Sequence, residues 1–328
     1  MTVLSGCISA APTHPRAGFG LSDSANASYW SRALGASWYY TWGMNDFGGG
    51  GERQFWPMVR SADMQLPETR QKIVETAKKH PGAVWILGNE PDNIHQDNLS
   101  AEAYAEMFHT AAGWIQSADP GAQLAIAGMS IPSPLRLKYL ETVLQTYRER
   151  FGEPMPVDWW NIHGYVLREE RNQWGVGIPT GMDEDAGVLY EVKDHGDIEV
   201  FKQQVQLFRT WMKQHGYQDS SLVLSEFGIL FPSKLGYSPD FVAQYLTDTF
   251  TWLDQARDFE IGNPQDEYRL VQRWAWFSLS DPIFPEGNLA DLRRNRLTLN
   301  GESFRDYSFS SARLREASPT EPVSQGNR

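Results

Sequence analysis

The chain has 328 residues, of which 41% are hydrophobic, 13% aromatic and 21% charged, so it can bury a large core and is not broadly disordered. Its 29 Lys and Arg against 41 Asp and Glu leave a net charge of −12, and no basic patch offsets it, which excludes a nucleic-acid partner. A single cysteine excludes internal disulfides and thiolate-rich zinc sites, and no apolar run reaches the length of a transmembrane segment.

At the N-terminus, Leu4-Ser5-Gly6-Cys7 looks like the lipobox at which bacterial lipoproteins are cleaved and lipidated. Only six residues precede Cys7, fewer than a signal peptide needs. Two expectations stand: a longer signal peptide with a lipid anchor at Cys7 and an extracytoplasmic or secreted location, or a chance match in a cytoplasmic chain. Beyond this tether, short apolar runs alternate with amphipathic helical patterns. Four strands are read at Ala17–Leu21, Ala36–Trp42, Gln54–Val59 and Ala83–Gly88. Four more follow at Gln123–Gly128, Val157–His163, Ser221–Glu226 and Val271–Phe277. Between them, Pro67–Lys79 reads as a helix with Pro in its first turn, and Ala101–Ser117 as one with Tyr104, Phe108, Ala111 and Ile115 on one face. Phe201, Val205, Phe208 and Met212 mark another helix, and Phe241, Tyr245, Thr249 and Leu253 a third.

Eight strand and helix alternations predict an α/β protein, a single (β/α)8 TIM barrel. The open doubly wound sheet needs an early phosphate-binding glycine turn, and Gly48-Gly49-Gly50-Gly51 has neither its spacing nor a helix after it. The expected organisation is a tether at residues 1–15, a catalytic barrel at 16–315 and a flexible tail at 316–328. Two departures from an ideal barrel are expected: a reduced connection between strands two and three, and a long loop from Val166 to Asp197 after strand six.

In such a barrel, the polar residues that end strands gather at the C-terminal rim. Strand four runs into Asn89-Glu90-Pro91-Asp92, and strand seven ends Leu224-Ser225-Glu226-Phe227-Gly228. Each places a carboxylate at the end of a buried strand, and the two strands lie far enough apart around the ring to face each other across its mouth. Two carboxylates across a sugar-sized gap are what glycosidic bond cleavage requires: one protonates the leaving oxygen, and the other attacks the anomeric carbon or activates water. No metal is expected, because H-E-x-x-H is absent and Met182-Asp183-Glu184-Asp185 lacks calcium-loop spacing. No cofactor is expected, and the absence of G-x-S-x-G leaves no serine nucleophile.

Asn-Glu-Pro on strand four with Glu on strand seven resembles the clan-A retaining glycoside hydrolases. More narrowly, an ordered set resembles the glycosyl hydrolase catalytic core of family 128, the endo-β-1,3-glucanases. It comprises Ser37-Trp38-Tyr39-Tyr40-Thr41-Trp42-Gly43, Phe55-Trp56-Pro57-Met58, Gly88-Asn89-Glu90-Pro91-Asp92, His163-Gly164-Tyr165, Ser225-Glu226-Phe227-Gly228 and Ala275-Trp276-Phe277. The resemblance runs from about residue 17 to 310. It implies that Glu90 is the acid/base, Glu226 the nucleophile, Asn89 a partner of the sugar 2-hydroxyl and Trp276 the platform under the sugar. The chain departs from the pattern at Gly88, where an aromatic residue often precedes the Asn, and at Gly164, where a larger residue is common.

Other expected substrate contacts are Trp42, nearest the rim of the alternating set Trp38, Tyr40 and Trp42, together with Tyr40 itself, and His163 and Tyr165 near the nucleophile. Trp174 and Tyr190 are read as a subsite wall on the long loop. The expected function is a monomeric retaining β-glucanase acting on a polysaccharide or oligosaccharide, most plainly an endo-β-1,3-glucanase. Its rivals are another clan-A β-glycosidase of xylosidase or mannanase type and a polysaccharide-binding barrel without turnover.

Overall fold

The computed structural model describes residues 13–22, 25–49 and 53–317, without the side chains of 312–317. Cys7 and the lipobox lie outside them. The apolar runs form strands β1 (His14–Gly20), β2 (Ala36–Tyr40), β3 (Gln54–Trp56), β4 (Met58–Val59) and β5 (Val84–Asn89). They continue as β6 (Gln123–Gly128), β7 (Trp159–His163), β8 (Ser221–Glu226) and β9 (Arg273–Trp276). All nine belong to one parallel sheet in the order β3-β2-β1-β9-β8-β7-β6-β5-β4.

The two ends of that order are halves of the third barrel strand. Pro57 separates them, because proline has no N–H for the ladder. Its carbonyl still accepts from Ile86 N at 2.9 Å, and the pairing resumes at Met58 opposite Ile86. Counting β3 and β4 as one, eight strands close the (β/α)8 barrel.

Helices α1 (Ala27–Leu34), α2 (Thr69–Lys79), α3 (Ala101–Ala118), α4 (Pro134–Phe151), α5 (Ile198–Gln214), α6 (Pro239–Gln255) and α7 (Leu299–Ala317) surround it. Their starts follow local chemistry. Ser100, Ser133, Asp197 and Ser238 each accept from a first-turn N–H, and Pro134 and Pro239 occupy the first turn, where no N–H is needed. The expected Pro67 start is corrected to Thr69, since Asp63–Gln65 forms a separate short turn before it. Among the described residues no helix follows β2, as the short connection predicted. α7 runs to Ala317, past the boundary expected at 315, and the rest of the tail lies outside the described residues.

Strand alternation sorts the core into two layers. Trp38, Tyr40, Trp56, Met58, Ile86, Val223 and Ala275 fill the barrel interior. Side chains of the opposite parity, including Trp274 and Trp276, join the helix-facing core. The long connection after β7 is folded: Glu170 bridges Ala186 antiparallel, and Val192–Asp194 forms a 3-10 turn. A small hairpin, β10 (Ala290–Asp291) with β11 (Arg296–Leu297), precedes α7 and was not foreseen.

Candidate active site

At the C-terminal end of β5 the backbone leaves the strand abruptly. Gly88 adopts φ +96°, and a Cβ there would come within 3.0 Å of the Tyr104 ring and 3.1 Å of Ala127 Cβ. A larger residue has neither the conformation nor the space, which accounts for the departure noted at Gly88. Gly164 is held by space alone: a Cβ there would come within 2.6 Å of Phe201 Cε2. Two residues on from Gly88, just past the end of β5, Glu90 sits at φ +46°, a conformation that costs a non-glycine residue about 1 kcal/mol or more. Its N–H donates to Gly128 O at 3.1 Å, which holds the turn in place.

Glu90 and Glu226 are both 5% exposed, and His163 lies between them. Its Nδ1 is 2.6 Å from Glu90 Oε1 and 3.6 Å from Glu226 Oε2. Ligand atoms of the three residues all fall within 4.8 Å of one another. Gly128 makes this possible, because any side chain there would collide with the His163 imidazole.

Each carboxylate has its own donors. Asn93 Nδ2 donates to Glu90 Oε2 at 2.6 Å. Trp42 Nε1 donates to Glu226 Oε1 at 2.6 Å, and Tyr165 OH to Glu226 Oε2 at 3.3 Å. Trp42 is also held at positive φ, +51°, which turns its indole inward.

The electrostatics follow from this crowding. Burial raises the pKa of Glu226 above its usual value; the His163 charge and the Trp42 donor oppose the rise, and Glu90 adds to it. Burial works against a charged His163, but Glu226 and Glu90 outweigh it and hold the imidazole above its ordinary pKa. A proton shared among these groups therefore offsets the repulsion of two carboxylates brought so close. Two carboxylates and an imidazole in this arrangement have the chemistry to ligate a divalent cation, and they equally have what acid/base and nucleophilic work requires.

The pair opens onto a cleft of ≈ 330 Å³. Asn93, His95 and Gln96 line one side, and Tyr165, Trp174, Phe231, Phe277 and Phe284 line much of the rest. Asn89 is buried beside Glu90: its N–H donates to Asp97 Oδ2 at 2.8 Å and its Nδ2 to Gln96 Oε1 at 3.3 Å, while its Oδ1 has no partner.

Glu90, Glu226, Asn89, Trp42, Tyr40, His163 and Tyr165 are thus brought together, though Tyr40 is fully buried beside Glu226 and does not line the cleft. Trp276 is corrected. It is 0% exposed, its indole donates to Gly287 O at 2.7 Å, and it packs on Phe227, Phe250 and Tyr245. The reason is parity: Ala275 faces the barrel interior, so Trp274 and Trp276 face the helices, and Phe277 returns to line the cleft. Trp174 lines the cleft as expected, whereas Tyr190 does not.

Asn93, Phe231, Phe277 and Phe284 were missed. Period-two counting along β9 would have found Phe277; the other three sit on irregular loops with no periodic signal. Also missed was the support behind the cleft. Fully buried Arg136 donates from Nε to Ser130 Oγ at 2.7 Å, with Asp92 Oδ2 at the same distance, and from Nη1 to Glu169 Oε1 at 2.5 Å. It also binds the carbonyl of Val176 at 3.1 Å, so one guanidinium ties the Glu90 turn to the long loop that carries Trp174.

Residues 18–177 match the family model described as the glycosyl hydrolase catalytic core. No curated protein matches the chain. Among solved structures, the chain is similar to a family-128 subgroup II endo-β-1,3-glucanase from Pseudomonas viridiflava, at 17% identity and TM-score 0.58 over 89% of this chain and 97% of that one. It is similar to a subgroup I endo-β-1,3-glucanase from Amycolatopsis mediterranei in complex with laminaritriose, at 16% identity and TM-score 0.59 over 89% and 99%. It also resembles a subgroup III curdlan-specific exo-β-1,3-glucanase from Blastomyces gilchristii in complex with glucose, at 16% identity and TM-score 0.60 over 90% and 99%. These likenesses show a shared fold.

Proposed function

We propose that the chain is a retaining endo-β-1,3-glucanase in which Glu226 is the nucleophile and Glu90 the acid/base. The observation that carries this reading is the close approach of two buried carboxylates, from strands well separated around the barrel, at the floor of an aromatic cleft. Retaining enzymes hold their carboxyl groups about 5–5.5 Å apart, and inverting ones leave roughly 6.5–9.5 Å for a water molecule. An oxygen of each carboxylate within 4.8 Å of the other places the pair on the retaining side of that divide, which supports double displacement.

In the first step, Glu226 attacks the anomeric carbon while Glu90 protonates the departing oxygen. Trp42 and Tyr165 orient Glu226 for attack. In the second, Glu90 takes a proton from water, which displaces the sugar from Glu226. The unpartnered Asn89 Oδ1 is a ready acceptor for a sugar hydroxyl at the cleavage site. The glycosyl hydrolase match and the laminaritriose bound by the Amycolatopsis protein support β-1,3-glucan as substrate.

Purified protein incubated with laminarin, xylan and mannan provides the test. Reducing ends are expected from laminarin, in a mixture of chain lengths, with the β-anomer formed first by NMR. Glu226→Gln and Glu90→Gln should each lower kcat by about 10²-fold or more. An initial α-anomer would overturn retention, release from xylan or mannan alone would overturn the substrate, and binding without release would leave a lectin-like barrel.

A further inference from the structure

At the opposite, N-terminal mouth of the barrel lies a second cavity of ≈ 430 Å³, a size typical of small-ligand sites. Arg273, Lys79 and His80 line it together with Trp56, Trp159 and Gln123, and among the described residues no Asp or Glu does, in a chain of net charge −12. Lys79 and His80 are answered by Asp46, whose Oδ2 lies 2.7 Å from Lys79 Nζ and 3.3 Å from His80 Nε2. Arg273 is different. It opens β9 with the inward parity of Ala275, and its guanidinium lies 5.5 Å over the Trp56 ring and 5.8 Å over that of Trp159. Gln54 Oε1 accepts from its Nη1. Burial depresses its pKa, and no carboxylate among the described residues raises it back.

A guanidinium largely withdrawn from water needs acceptors, and stacking on rings satisfies its faces, while Gln54 takes one Nη1 hydrogen and leaves the rest of the in-plane fork open to a ligand. A carboxylate fits that planar fork with two parallel hydrogen bonds. Trp159 is half-buried and fixed in orientation by Nε1 donating to Gln123 Oε1 at 2.7 Å, so it presents a rigid ring surface at the cavity. Gln54 and Gln123 add polar groups suited to hydroxyls.

We propose that this cavity is a second ligand site, separate from the cleft, for a sugar that carries a carboxylate, a uronic acid. The carboxylate meets Arg273, the pyranose lies against Trp159, and the hydroxyls meet the glutamines. The inference rests on this cavity alone and stands whether or not the cleft hydrolyses glucan.

The test is a calorimetric titration of the full chain with glucuronate, glucose and inorganic phosphate. Glucuronate is expected to bind at least tenfold more tightly than either glucose or phosphate, with affinity falling as salt rises. Arg273→Met should weaken it at least tenfold while leaving the thermal midpoint and the activity on laminarin unchanged. Absence of glucuronate binding, equal binding of phosphate, or undiminished binding by Arg273→Met would each overturn the assignment. Should that variant fail to fold, Arg273→Lys, which keeps the charge but loses the planar fork, is expected to weaken glucuronate severalfold, and an unchanged affinity would overturn it equally.

Discussion

Trp42 shows how one side chain in an unfavourable backbone conformation serves the chemistry. Its positive φ aims the indole N–H at Glu226 Oε1, away from the cleft opening. A hydrogen bond to a charged acceptor is worth about 1.5–3 kcal/mol. Trp42→Phe keeps the ring against Phe277 and Tyr40 but deletes the donor. The expected result is a fall in kcat of about 10- to 100-fold with a smaller change in KM. The nucleophile works ionised, and losing a donor that opposes its raised pKa lifts that pKa further. The acid limb of the kcat/KM profile should therefore move to higher pH, and a pH series on the variant checks it.

The two glutamates and their strand ends were legible in the sequence because an apolar run that stops at a carboxylate is a local pattern. The contact between Trp42 and Glu226 was not, since it joins residues 184 apart through a turn that no composition signals.

Among the elements, the long connection after β7 is the one whose order most needs explaining. It has little regular structure, yet buried Glu169 anchors it. Glu169 accepts from Arg136, from Ser133 Oγ at 2.8 Å and from Val188 N at 2.9 Å. Removing Arg136 would leave Glu169 and Asp92 buried without their cation, a loss that costs about 3–5 kcal/mol. Arg136→Met should lower stability by that amount in urea unfolding and raise KM for laminarin, as Trp174 loses its support. The sequence marked the loop by its length and Trp174 as a wall residue. It gave no sign of Arg136, which stands between Leu135 and Leu137 on α4 and is buried with them.

For the whole molecule, His195 links two walls of the cleft. With its Nδ1 3.0 Å from Val166 O and Nε2 accepting from Leu230 N at 2.9 Å, it is held as the neutral tautomer. Burial lowers its pKa to about 4. Because the folded value lies below the unfolded one near 6.5, the contribution is complete above about pH 6.5 and is lost as pH falls toward 4, roughly 3 kcal/mol in all. Stability measured by urea unfolding should fall across that window, and His195→Gln, which can keep both hydrogen bonds without titrating there, should flatten the dependence.

The sequence by itself determined the strand count, the barrel, the short connection after β2 and the two rim glutamates, because period-two apolar runs and strand-ending carboxylates are local signals. It left the side of each strand open. Trp274 and Trp276 share a face in any reading, and only closure of the barrel decided that this face meets α6, while Ala275 and Phe277 point into the interior and the cleft. Tertiary structure likewise decided that His163 lies between the glutamates, since its place depends on the missing side chain of Gly128 on a neighbouring strand. Strand periodicity fixes which residues travel together; the ring into which the strands close fixes what they meet.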